Sequence, residues 1–307
     1  MLEIYQNTLK KPVSFKGIGL HTGLKSSLTI FPGKEDQGII FKRSDLNKNN
    51  LINGNFKNVS SAKLCTTLEN EHGVKVSTVE HLLAALYISG IDNAIVEVNR
   101  EEIPIMDGSA KDFLKVLKKT EKVKLTSKRK YLKIVEKVQL NENEKTFSIE
   151  PSDNFTVDFK LDYKNKIIGK QSNLINFDKD NLDDVSSSRT FCLYEDIENI
   201  KRHGLAKGGS LNNAVVVDGS KILNKGGLRN SKEFVNHKIL DLAGDFVLSG
   251  YRIIGKVVCT QGGHELTNKF LKKLFNSQTS FTIEEIQNII ISKKVASGQT
   301  QKLAVNA

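Results

Sequence analysis

Tryptophan is absent from this chain of 307 residues, and proline, methionine and cysteine are scarce. The three cysteines, Cys65, Cys192 and Cys259, lie far apart with no C-x-x-C pair. That argues against a disulfide-stapled scaffold and a cysteine zinc ribbon, and for a reducing, cytoplasmic setting. A run of about 20 apolar residues, as a spanning helix requires, is missing. The longest is the short stretch 82–88, so no integral membrane segment is expected. Residues 1–11 mix charges and polar groups and lack the apolar region of a secretory signal. With no Trp, no RNP-like aromatic motif and no aromatics interleaved with lysines, nucleic acid is not an expected partner.

What is present is a globular balance, 38% hydrophobic and 26% charged, which suffices to bury a core. The net charge of +11 suits a phosphorylated small substrate or anionic headgroups. It is equally the charge of a solvated surface in a chain rich in Lys and Asn throughout.

Strand-like alternation covers 8–15, 27–31 and 39–42. Ser77 three residues before Glu80 reads as a capping box, followed by Leu82, Leu83, Leu86 and Tyr87 at helical spacing and stopped by Gly90. A strand at 93–98 and a helix at 110–118 complete this half. Residues 119–130 are charged and aperiodic, and the domain boundary is placed there. The second half repeats the plan, with strands at 131–138, 146–149 and 155–162 and a short helix at 195–202. A strand at 214–217, a long helix at 233–249, a buried strand at 252–259 and a helix at 265–275 follow. Strands grouped before helices in both halves define an α+β fold of two similar domains, 1–124 and 125–307. Each is a mostly antiparallel sheet with helices on one face, and two such halves can pack helix layer to helix layer around a site at the junction.

The glycines of Gly17-Ile18-Gly19-Leu20-His21-Thr22-Gly23 have the wrong spacing for a dinucleotide loop, and no helix follows, so they read as a tight turn between strands. The long helix carries the strongest chemical signal. His237, Asp241 and Asp245 stand at i, i+4 and i+8, on one face of a largely apolar helix. Such a polar stripe needs compensation, by a metal ion, a charged partner or solvent. His81 is either a buried helix histidine or a third ligand that completes a His2Asp set with one position left to water. Glu80 is either the capping-box residue or the base beside that water. His264, after Gly262-Gly263, is a general acid or merely a helix-start residue. His72 and His203 sit in polar surroundings and are expected to be exposed.

Taken together, several segments resemble the UDP-3-O-acyl-N-acetylglucosamine deacetylases of lipid A biosynthesis. They are Ser77-Thr78-Val79-Glu80-His81-Leu82, the stretch Glu102-Ile103-Pro104-Ile105-Met106-Asp107-Gly108-Ser109, His237-Lys238-Ile239-Leu240-Asp241 and Gly263-His264. Gly17 to Gly23, Ser188 to Phe191 and Gly208-Gly209-Ser210 also fit, and the resemblance extends from near the N-terminus to about Phe275.

The resemblance implies a zinc-dependent amidohydrolase, with iron(II) the alternative metal, held by His81, His237 and Asp241. It implies Glu80 as general base, His264 as general acid, Asp245 as the carboxylate that supports His264, and Thr190 as the hydroxyl near the developing oxyanion. Lys238 and Ser210 would contact substrate. Phe191, Ile197, Ala206, Leu211 and Val216 would wall an apolar passage for the acyl chain. The implied reaction removes the N-acetyl group of UDP-3-O-(3-hydroxyacyl)-N-acetylglucosamine, releasing acetate at an early committed step of lipopolysaccharide synthesis. The implied enzyme is a monomer working near the inner membrane surface. Gln261 departs from the lysine some members carry, so the phosphate contact of that lysine is not carried over to this position, and Cys65 matches a cysteine near the metal that is not needed as a ligand. The competing readings are a zinc amidase of another acylated sugar, a basic nucleic-acid-binding protein and an inactive scaffold of the same fold.

Overall fold

The computed structural model describes residues 3–286; the end of the second expected domain, 287–307, lies outside them. The architecture is α+β, with mostly antiparallel sheets and, among the described residues, six α-helices: α1 (Glu80–Ile88), α2 (Lys111–Leu117), α3 (Asp183–Ser187), α4 (Tyr194–Arg202), α5 (Glu233–Val247) and α6 (His264–Asn276).

The first half is built on a five-stranded sheet in the order Val13–Ile18, Lys25–Pro32, Ala94–Val98, Ile39–Arg43, Leu51–Asn53. Its pairs are antiparallel except Ile39–Arg43 with Ala94–Val98. The second half has a seven-stranded sheet centred on Arg252–Thr260, which pairs antiparallel with Lys145–Glu150 and parallel with Lys130–Ile134 and Phe155–Asp162. Phe155, Val157, Phe159 and Leu161 alternate into the core, the period-2 signal of a strand covered on one face.

Helix burial differs sharply. α1 buries every residue from Glu80 to Leu86, and α5 buries all but two of its fifteen. Such all-round burial is that of an interior helix. α4 buries none. Gly90, with φ +72°, donates its N–H to Tyr87 O and ends α1 in the left-handed conformation that glycine tolerates.

Several expected elements differ. The single strand expected at 8–15 is two strands, Tyr5–Leu9 and Val13–Ile18, in different sheets. Pro12 between them has no N–H for a ladder. The expected strand at 131–138 also divides, into Lys130–Ile134 and Val138–Glu142. The aperiodic stretch 119–130 contains the strand Lys122–Lys128, antiparallel to Tyr5–Leu9. No residue of that strand is fully buried, so no apolar alternation marks it. Lys170–Asn176 pairs with Phe155–Asp162 while burying only Ile175, and it escapes a hydrophobic pattern for the same reason.

Candidate active site and metal centre

The polar groups meet because two helices touch. α1 packs on α5 at Gly244, where a Cβ would lie 2.1 Å from the carbonyl oxygen of Glu80. Only glycine allows that approach. The contact brings Glu80 and His81, in the first turn of α1, against the α5 face that bears His237, Asp241 and Asp245. Backbone cannot yield as a flexible side chain can. Gly244→Ala is therefore expected to cost at least about 1–3 kcal/mol of stability and to lower metal content by displacing His81 from α5. Thermal melts and metal analysis of the variant check this; wild-type values in both would mean that the close contact is dispensable.

The candidate ligand atoms of His81, His237 and Asp241 all lie within 4.8 Å of one another and are buried. Asp241 Oδ1 stands 3.3 Å from His81 Nε2 and 3.4 Å from His237 Nε2. Yet Asp241 Oδ1 and His81 Nδ1 are buried without a hydrogen-bond partner. Orphaning a buried carboxylate oxygen is costly. A cation among the three donors removes that cost, and a His2Asp set suits a four-coordinate divalent metal with one position open.

The surroundings prepare these donors. His237 Nδ1 lies 3.1 Å from the Ser188 carbonyl; donating there leaves Nε2 with its lone pair. Burial pushes His237 down to about 3, the nearby Asp241 only partly opposing it, so the ring is the neutral form a metal requires. Ser188 is itself anchored, because the next residue, Arg189, makes a buried bidentate pair with Glu233 (Nε–Oε1 2.7 Å, Nη2–Oε2 3.1 Å). Burial opposes the charge of Asp241, but the Lys238 ammonium and the His264 imidazolium outweigh it and hold the carboxyl well below its ordinary value. Lys238 Nζ donates to Asp241 Oδ2 at 3.1 Å.

Glu80 does not form the expected capping box. The residue before α1 is Val79, with no side-chain cap, and the Ser77 hydroxyl donates instead to the Glu101 carbonyl. Ser77 ends a strand, and Thr78, at φ +57°, turns the chain between strand and helix. Glu80 Oε2 accepts the Thr66 N–H at 3.0 Å, and Oε1 lies 3.8 Å from His264 Nε2. Burial raises this carboxyl against the opposing pull of His264 and His81, making it a stronger base than an ordinary glutamate.

His264, the first residue of α6, holds Asp245 Oδ2 at 2.8 Å through Nδ1. Burial alone would depress its pKa. The carboxylates of Asp245, Glu80 and Asp241 overcome that and push it up to about 10, leaving an imidazolium at neutral pH. Asp241 and Asp245, equivalent by helical spacing, thus face different groups.

Beside this cluster lies a cavity of about 720 Å³. Thr190, Phe191, Ile197, Ala206, Ser210, Leu211 and Val216 all line it, as do Lys238 and His264. Every residue to which the resemblance gives a part in metal binding, catalysis or substrate contact therefore falls in the buried cluster or on this cavity. Cys65 is buried nearby, and its thiol is pushed up to about 12, chiefly by burial. It is not among the metal donors. His72 and His203 are exposed, as expected.

A sequence profile of the UDP-3-O-acyl N-acetylglycosamine deacetylases matches residues 6–276. The chain belongs to this family. Its match ends where the resemblance read from the motifs does. Three UDP-3-O-acyl-N-acetylglucosamine deacetylases illustrate the likeness. That of Geotalea uraniireducens (strain Rf4) is 40% identical over 283 residues, 92% of each chain. That of Pseudoalteromonas translucida (strain TAC 125) is 41% identical over 91% of this chain and 93% of its own. That of Sodalis glossinidius (strain morsitans) is 42% identical over the same shares. The family consists of metal-dependent deacetylases, hydrolases that act on an amide. No helix among the described residues is long and apolar enough to cross a membrane.

The roles of three contributors were not legible in the sequence, although Glu102 opens one of the motifs that carry the resemblance. Thr66 donates to both Glu80 and Asp245. Glu233 holds the segment whose Ser188 carbonyl orients His237. Glu102, almost fully buried, accepts the N–H groups of His21 and Thr22 and both the Thr22 and Thr78 hydroxyls, pinning the glycine turn beside the cavity. None belongs to a periodic pattern, and each acts on groups distant in sequence.

Proposed function

We propose that the chain hydrolyses the N-acetyl group of UDP-3-O-(3-hydroxyacyl)-N-acetylglucosamine, releasing acetate and the free amine in an early step of lipid A synthesis. The observation that carries this reading is the buried His81, His237 and Asp241 donor set with Glu80 and His264 beside it, opening on a largely apolar cavity. The relatives' printed names supply the substrate.

His81, His237 and Asp241 would hold the metal, zinc in this reading with iron(II) the alternative. When bound, such an ion supplies a Lewis acid that polarises the amide carbonyl and acidifies water. Glu80, with its raised carboxyl, accepts a proton from water as the water oxygen bonds to the carbonyl carbon. The Thr190 hydroxyl, on the cavity wall, donates to the oxygen on which charge develops. The His264 imidazolium protonates the amide nitrogen as the C–N bond breaks, and Asp245 stabilises its charge and orients its ring. Lys238 and Ser210 contact the polar substrate head. Phe191, Ile197, Ala206, Leu211 and Val216 receive the acyl chain. The protein works as a monomer near the inner membrane surface and in the cytoplasm, a reducing compartment in which its cysteines stay free.

The test is acetate release from the UDP-linked substrate across a series of acyl lengths. Each methylene buried in the passage is worth roughly 0.8 kcal/mol, about fourfold in kcat/KM, so the substrate without its acyl chain is expected to be deacetylated far more slowly. Ala206→Phe is expected to shift the optimum to shorter chains with metal content unchanged. A substitution that only overpacked the second half would slow every substrate alike. Because Ala206 already sits at φ +52°, melting temperatures of the variant are measured alongside. Equal rates with and without the acyl chain would remove the passage from the mechanism.

A further inference from the structure

Thr66 sits between the two carboxylates that the reaction relies on. It is almost fully buried. Its backbone N–H donates to Glu80 Oε2 at 3.0 Å, and its hydroxyl donates to Asp245 Oδ1 at 2.7 Å. These residues come from three separate stretches of chain. Glu80 opens α1, Asp245 lies near the end of α5, and Thr66 immediately precedes the strand Thr67–Glu69.

A carboxylate has two oxygens, and a hydrogen bond to one decides which of them faces a reaction. With Oε2 of Glu80 taken by the Thr66 amide, Oε1 is the oxygen presented to His264 Nε2, at 3.8 Å. With Oδ1 of Asp245 taken by the Thr66 hydroxyl, Oδ2 is the oxygen that holds His264 Nδ1, at 2.8 Å. Asp245 is thereby bonded at both oxygens, which sets the plane of its carboxylate and, through it, the imidazole ring. One residue thus orients the proton acceptor and the support of the proton donor together.

We infer that Thr66 is a positioning residue for proton transfer, keeping Glu80 and His264 in register without touching the substrate. This rests on the functional reading above. The amide bond to Glu80 belongs to the backbone and survives any substitution, so the hydroxyl is the part open to test. The stretch 62–64 just before Thr66 lines the cavity. A role confined to shaping that wall would alter KM, whereas a positioning role alters kcat.

The experiment compares wild type, Thr66→Val and Thr66→Ser as metal-loaded protein, measuring kcat, KM, metal stoichiometry and melting temperature. Thr66→Val is expected to lose about 10- to 100-fold in kcat, with KM within twofold and one metal retained per chain. Thr66→Ser, which keeps the hydroxyl, is expected to remain within about threefold of wild type. A Val variant with wild-type kcat, or a Ser variant as slow as the Val variant, would overturn the inference. Should Thr66→Val fold poorly, Thr66→Ala is examined in wild-type and Asp245→Ala backgrounds, the latter without an acceptor for the Thr66 hydroxyl. A positioning role exerted through Asp245 predicts that Thr66→Ala slows the first and adds little to the second; equal slowing in both would overturn it. The wild-type arm keeps the two readings apart. Without metal-dependent acetate release by wild type the functional reading fails, whereas release by wild type with an indifferent Thr66→Val sinks only the role of Thr66.

Discussion

Protein stripped of divalent metal with a strong chelator is expected to release no measurable acetate, and one equivalent of zinc per chain is expected to restore the full rate. The expectation follows from Asp241 Oδ1, a buried carboxylate oxygen without a hydrogen-bond partner that faces two imidazoles. The His237 ring, held neutral by burial, adds to it. A ligand that binds only the folded state stabilises it by RT ln(1 + [L]/Kd), about 4 kcal/mol at a thousandfold excess over Kd. Metal-loaded protein is therefore expected to melt several degrees above the stripped form, a readout independent of turnover. His237→Ala is expected to lose both the metal and that stabilisation. Full activity in a preparation verified as metal-free would end the proposed mechanism. Excess zinc is expected to inhibit, by occupying the groups that carry protons.

Glu80→Ala and His264→Ala are expected to fold, to keep the metal and to lose turnover. Groups that transfer protons in the transition state typically contribute about 10²–10⁴-fold, and neither residue is among the metal donors. Glu80 is the sharper case. A capping residue replaced by alanine would cost about 1 kcal/mol and spare activity. The structure gives Glu80 no such bond and sets it instead against Thr66 and His264. Metal content, melting temperature and kcat measured on one sample separate loss of chemistry from loss of fold. A Glu80→Ala enzyme with near wild-type kcat would remove Glu80 as the base.

The sequence alone determined much of this protein, because much of it depends on local periodicity. The interval of four residues placed His237, Asp241 and Asp245 on one helix face wherever that helix packed. Alternation marked Phe155–Asp162, and glycine marked the end of α1. The motifs around Glu80-His81, His237 to Asp241 and His264 carried the family, and with it roles for residues scattered along the chain from Glu80 to His264. Tertiary structure decided what periodicity cannot express, namely which partner each side chain meets. Spacing made Asp241 and Asp245 equivalent. They differ because His81 arrives beside the first, while the second is hydrogen-bonded by the Thr66 hydroxyl and by His264 Nδ1. Ser77 and Glu80 had the spacing of a capping box, but the left-handed turn at Thr78 left Ser77 in a strand. The strands Lys122–Lys128 and Lys170–Asn176 bury almost nothing, so their place was set by backbone pairing with neighbours far away in the chain. The physical reason is common to all of these. A pattern along the chain reports which face of an element avoids water, whereas a site is assembled from contacts between elements, such as the one that Gly244 allows.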